Sequence, residues 1–115
     1  MNDEELTDEA IEFAQNYINA FFKEKNMSDV SLAVNSVAHG FFMGYRYSEK
    51  SWGRLFFPRR KIMKEKKLEL ISLKAAKEYT RKNNLRERPF EDQVLSVSTL
   101  AYGFRHGVKD HESRI

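Results

Sequence analysis

Ala38-His39-Gly40-Phe41-Phe42-Met43-Gly44 and Ala101-Tyr102-Gly103-Phe104-Arg105-His106-Gly107 repeat one phrase, A-x-G-F-x-x-G, at an offset of 63 residues. At the same offset Asp29, Leu32, Val34 and Glu49 meet Asp92, Leu95, Val97 and Glu112, so positions 29 to 49 hold eight identities in 21 aligned pairs. Ordinary residue usage gives roughly one or two. The expectation is an internal duplication. Its period exceeds common solenoid units and two copies make no array, so two helical hairpins about a pseudo-twofold axis fit best.

Working outward from the phrase, apolar residues recur at spacings of three and four, and only two prolines and five glycines interrupt 115 residues. That pattern is all-α. Thr7 is the expected N-cap of a first helix, with Asp8 and Glu9 in its first turn and Ile11, Ala14, Tyr17, Ile18 and Phe21 as its apolar face. Asn26 stops it, and Ser28-Asp29 caps a second helix apolar on most sides from Val30 to Tyr45, the pattern of a central, buried element. Gly53 and Pro58 mark a connector over 51–61. A third helix is expected from Ile62 to Asn83 on a stripe of Leu68, Ile71, Ala75 and Tyr79. Pro89 suits the first turn of a fourth helix, whose apolar positions are Val94, Leu95, Val97, Leu100, Ala101, Phe104 and Val108. The predicted architecture is one domain, a four-helix bundle of two duplicated antiparallel hairpins, about 7–50 and about 62–112.

Gly40, Gly44, Gly103 and Gly107 stand inside predicted buried helices, where each glycine costs about 1 kcal/mol relative to alanine. Close backbone approach between helices offsets that cost, with Ala33, Val37 and Ser96 extending the stripes. The same stripes also suit pairing across a homodimer, or approach of a ligand to the backbone near His39, Tyr102, Arg46, Arg105 and His106.

Charge divides the chain. Residues 1–50 carry nine acidic and four basic side chains, while 51–115 carry eight acidic and sixteen basic. Thirteen of the basic residues lie between Arg54 and Arg88, against only Glu65, Glu69, Glu78 and Glu87. On a helix, Lys67, Lys74, Lys77 and Arg81 share one face with Lys66 beside them, while Glu65, Glu69 and Glu78 are expected on the far side. With Trp52, Arg54, Phe56, Phe57, Arg59 and Arg60 of the connector, these residues form the expected partner surface. A solvated face is the plain reading. The functional readings are an acidic protein partner, or nucleic acid or a nucleotide held by phosphate neutralisation and aromatic stacking. A third possibility is that the acidic first helix of one copy meets the basic third helix of another.

With no cysteine, disulfide scaffolds, thiolate metal sites and cysteine nucleophiles are excluded. No phosphate-loop, dinucleotide or nucleophile-elbow signature occurs, so no cofactor and no metal site is expected. His106 and Asp110, at i and i+4 beside His111, make only a weak metal pair, and His39 reads as a satisfied core or interface histidine. An enzyme built on His39, Tyr102 and Arg105 ranks last. Met1-Asn2-Asp3-Glu4-Glu5 is no signal peptide and no segment reads as a membrane span, so the expected location is the cytoplasm. The function expected is that of a small, non-catalytic, self-associating accessory or regulatory protein that binds or sequesters a partner; the alternative is a phosphate reader using the same surface.

Overall fold

Asn2 starts the first helix, five residues before Thr7. Its Oδ1 accepts the Glu5 backbone N–H at 2.8 Å and its Nδ2 donates to Glu5 Oε1 at 2.9 Å, a cap satisfied in both directions. The Thr7 hydroxyl instead donates to the Asp3 carbonyl within the first turn. A computed structural model describes residues 1–22, 27–53, 64–83 and 87–114, without the side chains of 27, 28, 52 and 53. They form α1 (Asp3–Phe21), α2 (Met27–Gly53), α3 (Glu65–Lys82) and α4 (Phe90–Ser113), a four-helix, all-α bundle with no strand among the described residues.

Other boundaries also differ from expectation, and α1 ends at Phe21, short of Asn26. α2 begins at Met27, so Ser28 and Asp29 stand in its first turn, and it runs to Gly53. Ser51 and Trp52 therefore extend α2 rather than open a connector, since neither of them interrupts a helix. Residues 54–61, with Arg54, Phe56, Phe57, Arg59 and Arg60, lie outside the described residues, as do Asn26, Ile62 and Met63. Pro89 caps α4 rather than entering it, its carbonyl accepting the N–H of Asp92 at 3.0 Å and of Gln93 at 3.2 Å.

α2 and α4 make the most extensive contact in the molecule. They run parallel, because the partners advance together: Ser36 with Ser96, Gly40 with Leu100, Gly44 with Phe104 and Ser48 with His111. The contact is reciprocal. A Cβ on Gly40 or Gly44 would overlap the carbonyl of Leu100 or Phe104, and one on Gly103 or Gly107 would overlap the carbonyl of Val37 or Phe41. The glycine stripes thus face each other within one chain, which leaves neither free for a second copy. The approach buries Val37, Phe41, Leu100 and Phe104, each at 3% exposure or less. At about 1.5–3 kcal/mol per side chain, their burial outweighs the roughly 4 kcal/mol that four helical glycines cost.

α1 packs on α2 and α3 on α4, on different flanks of this central pair. Each presents a ladder at i+4: Leu6, Ala10, Ala14 and Ile18 in α1, and Leu68, Ser72, Ala76 and Thr80 in α3. These faces are rotated from the expected ones, most of all in α3, where Ser72, Ala76 and Thr80 take the inward positions expected of Ile71, Ala75 and Tyr79. Ile11 and Phe21 are exposed, and in α3 Ile71, Ala75 and Tyr79 are half-buried. Small residues let the flanking helices come close, and the Ser72 and Thr80 hydroxyls are satisfied by their own helix, donating to the carbonyls of Glu69 (2.8 Å) and Ala76 (2.9 Å). Among the described residues no helix is long and apolar enough to cross a membrane.

Candidate functional site

The ladder of α3 fixes the rotation of the helix, and with it what the opposite side offers to solvent. At 100° per residue, Lys67, Lys74, Lys77 and Arg81 fall within about 80° of arc, with Leu70 inside that arc. All four cations are exposed, and Leu70 is 70% exposed. A groove of about 610 Å³ runs along this face between α3 and α4, lined by Leu70, Leu73, Lys74, Lys77 and Arg81 on one side and Gln93 and Val97 on the other. A second groove, of about 550 Å³, separates α3 from α2; Met43, Tyr47, Ile71 and Phe104 make its apolar floor, with Lys50 and Lys74 also lining it.

Glu78 departs from expectation. Its angle is about 40° from Lys74, and it lines both grooves rather than the far side of the helix. Glu65 does lie away from the cationic face: its carboxylate meets Lys109 Nζ of α4 at 2.7 Å, and that hydrogen bond and charge hold its pKa below the usual carboxylate value.

The bundle neutralises its charges selectively. Arg46 of α2 binds Asp3 and Glu49, and Arg114 binds Glu9 at 2.6 Å and Asp110 at 3.1 Å. Both guanidinium pKa values are raised, chiefly by the hydrogen bonds to Glu49 and Glu9 respectively. Among the described residues, Lys67, Lys74, Lys77 and Arg81 have no ion-pair partner. The α3 face is therefore a net positive surface, four cations against Glu78, around an exposed leucine. Of the sequence-predicted partner residues, these four come together, Trp52 is in the last turn of α2, and the rest lie outside the described residues.

The histidines are placed differently from one another. His39 is an exposed residue whose ring lies tilted against Tyr79 at 4.6 Å, not a core histidine. The helix turns it off the α2–α4 seam, which Gly40 and Ser36 occupy. Desolvation against α3 lowers its pKa. His106 lies 5.1 Å from Phe13 and 4.3 Å from Tyr102, and burial, then the nearby Lys109 and Arg105 charges, lowers its pKa against an opposing pull from Glu65. Tyr102 belongs to this second cluster with Tyr17, whose pKa is raised by burial and by Tyr102. His39 and Tyr102 thus serve separate aromatic contacts. Asp110 is engaged by Arg114, and no cluster of three metal-ligating side chains occurs among the described residues.

Sequence reasoning missed one polar contact. His111 Nδ1 and Ser48 Oγ meet at 2.6 Å, at 8% and 2% exposure, with the His111 ring edge-on to Tyr45 at 4.9 Å. The two residues are 63 apart, the offset of the sequence repeat, and that spacing was the signal that could have found them. Because both are buried at the α2–α4 seam, the pair closes a polar gap in the core and offers no nucleophile to solvent. No protein-family model, no curated protein and no solved structure matches this chain.

Proposed function

We propose that this chain is a non-catalytic helical interaction protein, an accessory or regulatory factor that holds an acidic protein partner on the outer face of α3. One observation carries the reading: Leu70, 70% exposed, sits inside an arc of four cations without ion-pair partners among the described residues. An apolar anchor ringed by charge is the arrangement of an interface centre and rim. Leu73, 39% exposed beside it, adds apolar surface that a phosphate backbone has no use for. That favours a protein over nucleic acid. The absence of cysteine suits work in the cytoplasm. We also infer a duplicated origin for the two hairpins, supported by the 63-residue repeat and by the reciprocal glycine contacts.

The test is a fluorescence-anisotropy titration with two probes, a Glu-rich amphipathic helical peptide bearing a leucine stripe and a single-stranded oligonucleotide. The peptide is expected to bind, less tightly as salt rises, and Lys74→Glu/Lys77→Glu/Arg81→Glu should weaken it about tenfold or more. Binding to the oligonucleotide alone, or to neither probe, overturns the reading.

A further inference from the structure

We propose that the acidic partner includes a second copy of this chain, whose α1 docks on the α3 face of the first to give a head-to-tail assembly. This rests on the reading of α3 just given and names its partner.

The first observation is charge. α1 contains six carboxylates and no basic residue. Two of the six, Asp3 and Glu9, are taken by Arg46 and Arg114 of the same chain. Asp8 and Glu12 are exposed, as are Glu4 and Glu5, and none of the four joins an ion pair among the described residues. The fold thus compensates charge along its inner edges and leaves two outward faces of opposite sign.

The second observation is spacing. Glu5, Asp8 and Glu12 follow i, i+3, i+7, and so do Lys74, Lys77 and Arg81. A parallel pairing matches Glu5 with Lys74, Asp8 with Lys77 and Glu12 with Arg81. An antiparallel pairing that matches the outer members brings the outward-facing Asp8 opposite Glu78, a like-charge contact. In the parallel pairing the residue level with Glu78 is Glu9, whose carboxylate Arg114 of its own chain already neutralises. The outward-facing charges therefore favour the parallel arrangement. Within a chain the buried ladders of α1 and α3 correspond at an offset of 62 residues, whereas the intermolecular match is at 69, a stagger of seven residues or about 10 Å. Because the surfaces are different on the two copies, the contact is heterologous, and each added copy exposes a fresh face of each sign. Exposed ion pairs are individually weak, so association should emerge at high protein concentration and low salt.

The experiment is sedimentation velocity on the full chain at about 0.05 M and about 1 M NaCl, where the screening length falls from about 14 Å to about 3 Å. The weight-average mass of the wild type, at on the order of 0.5 mM protein, should rise at least twofold at low salt and return to that of one chain at high salt. Asp8→Lys/Glu12→Lys and Lys77→Glu/Arg81→Glu should each be monomeric at low salt. An equimolar mixture should regain the wild-type mass, because each variant then supplies the face the other needs. If either double variant loses its helical circular dichroism, Asp8→Lys and Lys77→Glu replace them. A wild type that stays monomeric at low salt, or folded variants that do not rescue each other, overturns the proposal. If the acidic peptide still binds such a monomer, the reading of α3 stands and only self-docking falls; if the peptide fails too, both fall.

Discussion

Gly40 of α2 faces the Leu100 carbonyl of α4 so closely that a methyl group there would overlap the oxygen and stand 3.0 Å from the Phe104 nitrogen. The obstacle is backbone, which cannot swing aside as a side-chain end can. In an exposed helix, Gly→Ala stabilises by about 1 kcal/mol. Here the sign is reversed: Gly40→Ala and Gly103→Ala should each destabilise by about 1–3 kcal/mol net, through overlap. Urea unfolding measures this, with Asn35→Ala on the exposed side of α2 as a control expected within about 0.5 kcal/mol of wild type. Stabilisation by Gly40→Ala would show that the helices can part without loss.

Ser48→Ala removes the hydroxyl paired with His111 Nδ1 and should cost about 1–3 kcal/mol, the usual range when a buried polar atom loses its partner. A melting temperature equal to wild type would mean that the Ser48–His111 bond adds nothing to the seam.

Stability should fall as pH drops below about 6.5, the unfolded histidine value. His39 and His106 both have lowered pKa values in the fold. The unfolded chain then binds protons first, so stability is full above the unfolded pKa and is lost as pH falls toward the folded values. His106→Phe keeps a ring against Phe13 and Tyr102 and should make the denaturation midpoint less dependent on pH between 7.5 and 5. An unchanged slope in that variant, with His106 titrating at or above 6.5 by NMR, contradicts the assignment.

Leu68 and Leu70 are two residues apart and should behave oppositely. Leu68 is 1% exposed between α3 and α4, so Leu68→Ala should cost about 2–5 kcal/mol. Leu70→Ala should leave stability within about 0.5 kcal/mol and lower affinity for the acidic peptide about tenfold. Equal affinity of Leu70→Ala and wild type removes the apolar anchor from the account.

The four helices and the central pair were legible because glycines at i and i+4 inside apolar helices have few physical uses, and Gly40, Gly44, Gly103 and Gly107 serve close approach. Boundaries were less legible. Asn2-x-x-Glu5 was a cap signal as good as Thr7, and only burial of Leu6 against Phe41 and Tyr45 selects it. Apolar spacing places the inward faces of α1 and α3 at the wrong rotation because it weights large apolar residues over Ala10, Ser72 and Thr80, whose small size is what admits the neighbouring helix. Of the candidate surface, the cations were evident from charge and angle. Leu70 was not, because exposure of an apolar residue depends on which helix face the neighbours cover.

The central claim is that the outer face of α3 is where a partner binds. Amide chemical-shift mapping of the isotope-labelled chain against the acidic amphipathic peptide tests it most directly. Shifts concentrated at Lys67, Leu70, Lys74, Lys77 and Arg81, with the amides of Gly40 and Gly103 unmoved, are the predicted result. Saturating peptide that leaves those five amides in place, or that shifts another face instead, contradicts it.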